Sequence, residues 1–324
     1  MAGCFAALCR RDPGRRNTVT KRPVFLVTGA DLAPQALALL AEFDLVYAGK
    51  APTEDDVVRL CKQHDPVGII VRYSRVGAQA MDAAPSLRVI SKHGSGTDTI
   101  DKQAAAQRGI QVVAAVGANA AAVAEQALAL MLACAKSVIQ LDQRMRAGHW
   151  DKATHKNVEL EGRTVGVVGL GAIGLRFAKV ANAMGMRVLG FDPYAQNLPT
   201  FVQRADWSCI LSESDVISLH CPLTNENAHL LNASSLAACK SGVLIVNTAR
   251  GGLIDESALL EAVRNGRVGA AGLDSFAIEP MAHPHLFCEE PRIVLSPHIG
   301  GITADAYIKM GVAAAHNALQ ILRA

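Results

Sequence analysis

Glycine stands at the first, third and sixth positions of Gly169-Leu170-Gly171-Ala172-Ile173-Gly174. That spacing lets a backbone turn tightly, approach a pyrophosphate closely and pack a helix against a strand. Chance alone gives about 0.2 such triplets in a chain of this glycine content, so the setting carries the argument. The triplet follows the apolar run Thr164 to Val168 and opens a helical stretch reaching Met184. The free amides and positive end of such a helix suit phosphate. A second apolar run, Arg187 to Phe191, ends at Asp192, eighteen residues past Gly174. A carboxylate there accepts from adenosine ribose hydroxyls and repels a 2′-phosphate, which predicts NAD in preference to NADP.

Redox chemistry on a carbinol also needs a side chain that takes or gives the hydroxyl proton near neutral pH, and histidine suits. Of ten histidines, His298 in Ser296-Pro297-His298-Ile299-Gly300-Gly301 follows the last expected strand of the nucleotide unit. Such sheets hold their ligands at that carboxyl end. His220 ends another expected strand and is the rival. Glu279, in Asp274-Ser275-Phe276-Ala277-Ile278-Glu279-Pro280, can accept from an imidazole, fix its tautomer and favour its cation. Arg250, in Asn247-Thr248-Ala249-Arg250-Gly251-Gly252, offers a guanidinium suited to the carboxylate and carbonyl of a 2-oxo acid. Arg72, in Arg72-Tyr73-Ser74-Arg75, is either a contact for a phosphate or second carboxylate or an ordinary surface charge. His149, Trp150 and His155 lie in a linker without a second ligand pattern, so no metal site is expected.

The elements that must position these groups alternate. Short Val/Ile/Leu runs from Val24 onward are separated by longer Ala/Leu-rich stretches, the pattern of an α/β fold with parallel sheets. In the first half the runs predict strands at Val24 to Thr28, Val67 to Val71, Leu87 to Ser91 and Gln111 to Val113. Helices are expected near Pro34 to Phe43, Thr53 to Gln63 and Asp101 to Arg108. One long helix is expected over Ala120 to Arg146, apolar over much of its circumference. A helix of that kind suits burial between domains and against a second subunit, so a homodimer is expected. Beyond Arg163, runs at Thr164, Arg187, Val216, Val243, Ala270 and Ile293 predict a six-stranded doubly wound sheet. The expected organisation is an extension over 1–22, a discontinuous substrate-binding unit of 23–119 and 300–324, and a nucleotide-binding unit of 120–299.

With 324 residues, half of them apolar and 19% charged, the chain can bury enough surface to fold as two domains. The longest uncharged stretch near the middle, Gly109 to Ala124, falls short of the ~18 to 20 apolar residues of a membrane span. The net charge of +3 sits in the Arg-rich first 22 residues, read as a disordered extension. The rest of the chain is therefore slightly acidic and unlike a nucleic-acid binder. Eight cysteines without Cys-x-x-Cys or finger spacing fit free thiols in a reducing cytoplasm.

Beyond these readings, several stretches resemble the D-isomer-specific 2-hydroxyacid dehydrogenase family, which includes phosphoglycerate, glycerate and hydroxypyruvate enzymes. They are His93-Gly94-Ser95-Gly96-Thr97-Asp98, Ala118-Asn119 through Glu125, the glycine triplet, His220-Cys221-Pro222-Leu223-Thr224, the Arg250 segment with Asp255-Glu256, Asp274 to Pro280, and Ser296 to Gly301. The resemblance runs from about Val24 to the C-terminus. It implies two Rossmann-like units, a homodimer, and Arg250, Glu279 and His298 as the catalytic trio, His298 protonating a 2-oxo group. It further implies that amides around Gly94, Ser95 and Gly96 hold the substrate carboxylate and that Asp274 receives the nicotinamide carboxamide. Ser95, Ala172, Ile173, Cys221, Pro222, Thr248, Ala249, Gly300 and Gly301 would line the cofactor. The chain departs from the family in three places: Ala172 where many relatives carry Arg, Thr99 where Asn is common, and Ala122 where many phosphoglycerate enzymes have Ser. A second reading within this fold is an NAD(H)-binding corepressor, which the lack of a basic surface disfavours. Formate-type enzymes of the fold pair the histidine with glutamine, whereas this chain has Glu279.

Overall fold

A computed structural model describes residues 22–324. The expected N-terminal extension lies outside the described residues, apart from Arg22. The first sheet is built from β1 (Val24–Val27), β2 (Asp44–Tyr47), β3 (Gly68–Val71), β4 (Val89–Lys92) and β5 (Gln111–Ala114). Its strands are all parallel, in the order β2-β1-β3-β4-β5. Four helices connect them: α1 (Pro34–Leu39), α2 (Glu54–His64), α3 (Ala78–Asp82) and α4 (Lys102–Gln107). β1, β3 and most of β4 are buried, as expected of a parallel sheet covered on both faces.

Two further helices follow, α5 (Ala120–Lys136) and α6 (Val138–Arg146). The second sheet then comprises β6 (Thr164–Val168), β7 (Arg187–Phe191), β8 (Val202–Arg204), β9 (Val216–Leu219), β10 (Val243–Asn247), β11 (Val268–Leu273) and β12 (Ile293–Leu295). It is parallel throughout, in the order β12-β11-β10-β9-β6-β7-β8. The intervening helices are α7 (Ala172–Ala183), α8 (Trp207–Glu213), α9 (Ala233–Ala238) and α10 (Glu256–Arg264). The last helix, α11 (Ala304–Arg323), packs on β4 and β5 of the first sheet and on α1, while α5 packs on α7, β10 and β11 of the second. Each sheet therefore has its own buried core.

The second sheet has seven strands where six were expected. The addition is the three-residue edge strand β8, Val-Gln-Arg, whose single buried valine gives no alternation to read. β2 escapes the sequence reading for a similar reason: it is an edge strand with both ends exposed. The long helix expected over Ala120 to Arg146 is instead two helices, bent by 59° at Ser137. Ser137 takes a left-handed conformation with φ of 48°. The last turn of α5 is satisfied from outside, because Val158 N donates to Ala135 O and Lys136 Nζ donates to Val158 O. That tertiary capping, made across about twenty residues, ends a helix that propensity alone would continue. Among the described residues no single helix is long and apolar enough to cross a membrane.

Several helices begin on a side chain that accepts from their own first-turn amides. Thr53 and Asp56 form a reciprocal box at α2, and Asp101, Asp206, Asn232, Asp255 and Thr303 cap α4, α8, α9, α10 and α11. Replacing Ser137 by glycine should relieve the left-handed strain at the α5 to α6 break and stabilise the fold by about 0.5 to 1 kcal/mol. Urea unfolding of Ser137→Gly against the parent chain checks this, and an unchanged or lower midpoint contradicts it.

Candidate active site

Strand order in the second sheet reverses between β6 and β9, which opens a crevice at the carboxyl ends of those two strands. Gly169 turns the chain there with φ of 90°. A Cβ at Gly169 would stand 2.7 Å from both Cys221 N and His220 C, so only glycine lets the two strand ends meet. A Cβ at Gly174 would fall on Gly169 O, and its absence lets α7 start directly on the turn. Above Gly171, in contrast, nothing among the described residues lies within 4 Å of a Cβ position. Gly171 caps α7 without a side-chain bond, so the amides of Ala172, Ile173 and Gly174 are available to an anion.

Asp192, just past β7, is fixed against this loop. Its Oδ2 accepts from Leu170 N at 2.8 Å, and its Oδ1 from Tyr194 N at 2.9 Å and Ala195 N at 3.2 Å. Across the crevice lie Cys221 and Pro222 after β9, and Thr248 and Ala249 after β10. Asn227 Nδ2 donates to Pro222 O at 2.8 Å and Asn247 Oδ1 accepts from Ala249 N at 3.0 Å, so both loops are braced from within. Burial pushes the Cys221 thiol up to about 11, leaving it a neutral wall at physiological pH. Thr248 Oγ1 is buried and finds no hydrogen-bond partner among the described residues, a state that costs roughly 1 to 3 kcal/mol unless a ligand atom fills it. Open amides, a fixed carboxylate and an orphaned hydroxyl on adjoining strand ends fit a dinucleotide.

Next to this cradle, His298 Nδ1 lies 2.6 Å from Glu279 Oε2. Glu279 is itself aimed by its other oxygen, which accepts from Phe276 N at 2.9 Å. His298 is held in a left-handed conformation, φ 50°, which few non-glycine residues adopt without support. The support comes from Asp274, which is buried. Its Oδ1 accepts from Ser296 Oγ at 2.6 Å and Ile299 N at 2.9 Å, and its Oδ2 from Gly300 N at 2.8 Å. Asp274 thus clamps both sides of His298, and the remaining lone pair on Oδ2 is what it can offer a ligand amide.

Arg250 follows β10 and binds Asp98 Oδ2 through Nε at 3.0 Å and Nη2 at 2.7 Å. Against burial, which acts to raise it, these bonds hold Asp98 below the usual carboxylate range. The guanidinium lies where a Cβ at Gly96 would be, so Arg250 meets the Gly94-Ser95-Gly96 turn after β4. Ser95 Oγ donates to Asn119 Oδ1 at 3.2 Å, and Asn119 Nδ2 would be 2.7 Å from a Cβ at Gly301. Arg250, Gly96, Ser95 and Gly301 are thereby brought into one cleft with the His298 loop. Lys92, at the end of β4, donates to Arg72 O at 3.0 Å; burial and then the nearby Arg250 cation push its ammonium down to about 8.

The Arg72 side chain is only 12% exposed, so it is not an ordinary surface charge. It pairs with Asp31 and lies over the rings of Tyr73 and Tyr307, 5.2 and 4.9 Å from their centroids. Sequence reasoning gave no role to Asp98, Lys92, Asn119 or Asp31. Asp98 and Asn119 lie in motif stretches, but only the fold shows their partners. His155 Nε2 meets Asn157 Oδ1 at 2.9 Å and Asp151 pairs with Arg144, and no group of three potential metal ligands occurs among the described residues. The rival histidine is also placed. His220 packs on Phe177 at 5.1 Å, its Nε2 meets Ser218 Oγ at 2.9 Å, and burial holds it down to about 3. Held low by burial, His220 is poorly suited to proton transfer, whereas the His298 side chain is open to solvent.

Residues 128–300 match the family described as D-isomer specific 2-hydroxyacid dehydrogenase, NAD binding domain. The hydroxypyruvate reductase of Thermotoga maritima is 40% identical over 276 residues, which is 85% of this chain and 90% of that protein. The chain belongs to the D-isomer specific 2-hydroxyacid dehydrogenase family. It is an NAD-dependent oxidoreductase of that family, and the corepressor reading is not favoured. The D-3-phosphoglycerate dehydrogenase of Mycobacterium leprae is 38% identical over 292 residues, 89% of this chain but 55% of that protein. The chain thus spans about half the length of such enzymes. Among solved structures, a protein from Thermus thermophilus superposes with a TM-score of 0.85 at 36% identity, covering 93% of this chain and 97% of that one. A glyoxylate reductase from Paecilomyes thermophila gives 0.81 at 30%, covering 91% and 94%.

Two imidazoles, His93 buried and His220 partly buried, give the dehydrogenase a pH signature in stability. His93 is pushed down to about 4 by burial and then by the Arg72 cation, and His220 to about 3 by burial, from an ordinary 6.5. Below 6.5 the unfolded chain takes up these two protons while the folded chain does not. Stability should therefore be full above 6.5 and fall as pH drops toward 4, by about 1.4 kcal/mol per pH unit for each group. Denaturant unfolding at pH 7 and pH 5 measures the slope, and His93→Gln should remove its share. A parent slope of zero, or one unchanged in the variant, contradicts the assignment.

Proposed function

We propose that this dehydrogenase reduces short 2-oxo acids without a phosphate, hydroxypyruvate and glyoxylate foremost, to D-2-hydroxy acids, with Arg250, Glu279 and His298 as its catalytic residues. The observation that carries the reading is the 2.6 Å Glu279 to His298 pair beside the Arg250 cleft. NADH, when bound, supplies a hydride to C2 of the substrate. Arg250 binds the substrate carboxylate and polarises the 2-oxo oxygen, and amides of the Gly94-Ser95-Gly96 turn complete the carboxylate site. With Nδ1 donating to Glu279, His298 presents Nε2 as the acid that protonates the developing alkoxide. Glu279 holds that tautomer and stabilises the cation before transfer.

Preference for an acid without a phosphate is supported by the hydroxypyruvate reductase of Thermotoga maritima, 90% of whose length this chain covers, against 55% for the phosphoglycerate enzyme of Mycobacterium leprae. Asp192 is assigned to the adenosine ribose and to discrimination against NADPH. We further infer a substrate-binding unit of 23–119 with 300–324 and a nucleotide-binding unit of 120–299, since α11 packs on the first sheet and α5 on the second. A homodimer is supported by exposed Leu132, Val138, Ile139 and Met145 on α5 and α6, and a reducing cytoplasm by the buried free thiols Cys61, Cys134 and Cys239.

Nicotinamide absorbance with purified protein and a panel of hydroxypyruvate, glyoxylate, pyruvate and phosphohydroxypyruvate is the direct test. Hydroxypyruvate or glyoxylate should give the highest kcat/KM, and preference for the phosphorylated acid would overturn the substrate reading. His298→Ala should lower kcat by about 10² to 10⁴ with NADH binding retained, whereas Arg250→Ala should raise KM as well as lower kcat. For Asp192→Ser, the NADH to NADPH preference should fall by roughly tenfold or more, about 1.4 kcal/mol of discrimination. An unchanged ratio removes Asp192 from the ribose site.

A further inference from the structure

A second pair of acid and imidazole lies behind the loop that carries Glu279. Glu256, the first residue of α10, turns its side chain away from the helix. Its Oε1 accepts from Ala277 N at 2.9 Å, and its Oε2 lies 3.4 Å from His285 Nε2. The two side chains are only 16% and 14% exposed. His285 Nδ1 accepts from Phe287 N at 3.4 Å, which puts the ring proton on Nε2, facing Glu256. The ring stands edge-on to Phe276 and Phe287, at 6.2 and 4.9 Å between centroids.

This carboxylate is not needed to start α10, because Asp255 already accepts from Ala258 N. An acid kept for the helix dipole alone would also be better hydrated in solvent. Its bonds go to the 276–285 loop instead. The consecutive amides Phe276 and Ala277 donate to Glu279 and Glu256 respectively, so fixing one fixes the other. The same loop touches the Arg250 segment, since a Cβ at Gly251 would fall on the Phe276 carbonyl.

We propose that Glu256 and His285 are positioning residues: together they lock the 276–285 loop so that Glu279 meets His298, in register with Arg250. The proposal rests on the roles given above to Glu279 and His298. Neither Glu256 nor His285 touches the reacting atoms; they act through the amide of Ala277 and the path of the loop.

The test compares Glu256→Ala, Glu256→Gln and His285→Leu in the parent and in a Glu279→Gln background, reading kcat, KM, NADH Kd and thermal midpoint. In the parent, Glu256→Ala should lower kcat by about tenfold, the scale of a small misplacement, with KM and NADH Kd unchanged. Glu256→Gln should recover most of the loss, because its amide oxygen still accepts from Ala277 N. In the Glu279→Gln background the alanine should add little, since the residue it aims is already altered. Nitrogen NMR of labelled histidine reads the same point without turnover: His298 should hold its Nδ1-protonated tautomer in the parent and lose that bias in Glu256→Ala. A kcat and tautomer ratio equal to the parent's, or a loss of equal size in both backgrounds, overturns the proposal. If Glu256→Ala fails to fold, His285→Leu carries the same comparison. Lack of turnover in the parent would instead sink the functional reading, and the tautomer measurement would still decide the loop.

Discussion

The constraint on which the site depends is a buried carboxylate at the end of β11. Asp274 accepts from Ser296 Oγ, Ile299 N and Gly300 N, and between those donors the chain is forced through the left-handed conformation of His298. A charge in that position is tolerable only because three donors replace its hydration. The bonds in turn bear the backbone strain of a β-carbon residue in left-handed space, of order 1 to 3 kcal/mol. Strain and buried charge are thus stored at one point and offset by the same three hydrogen bonds. The outcome is an imidazole on a short, braced loop, aimed along one direction for the proton transfer proposed above.

Around that point the two sheets converge by a shared rule. In parallel α/β sheets the carboxyl ends of the strands open at the place where strand order reverses. The second sheet reverses between β6 and β9, and the first between β1 and β3. The glycine loop and Cys221 lie at the first of these ends, and Gly29 and Arg72 at the second. Charge joins the two halves in the cleft: Arg250 comes from β10 and Asp98 from beyond β4. A small glycine under the guanidinium, Gly96, lets the two backbones come this close.

What was legible in the sequence was whatever a short window contains. The glycine triplet, the carboxylate ending β7 and the histidine following the last strand are each set by spacing to a neighbouring strand, and parallel strands buried on both faces announce themselves as apolar runs. Edge strands β2 and β8 lacked that signal because two of four and two of three of their residues, respectively, are exposed. The break at Ser137 was illegible because its cause is Val158, twenty-one residues away, docking on the carbonyl of Ala135. Arg72 read equally well as a ligand contact or a surface charge, because its partners, Asp31 forty-one residues before it and Tyr307 on the last helix, are brought to it only by the fold. The partner of Asp98 likewise exists only once the two sheets are placed together, and that of Lys92 only once β3 and β4 pair.

The ion pairs of the cleft bear on how an anionic substrate enters it. Before substrate arrives, the Arg250 guanidinium is already bonded by a carboxylate, that of Asp98, so the arginine has surrendered its hydration to a group of the same charge and geometry as the one it is proposed to bind. Exchange of one carboxylate for another then avoids stripping water from a bare guanidinium, which is the larger part of the cost of burying an ion pair. Asp98, exposed over 62% of its side chain, returns to solvent cheaply. Lys92, close enough to lose part of its basicity to burial and to Arg250, adds a positive field that favours an incoming anion over the departing aspartate tethered to the chain. The same exchange would be poor for a neutral carbonyl compound, which has no charge to offer Arg250 in return. Under the proposed function, a preference for 2-oxo acids over aldehydes and ketones would follow from the carboxylate the cleft already holds.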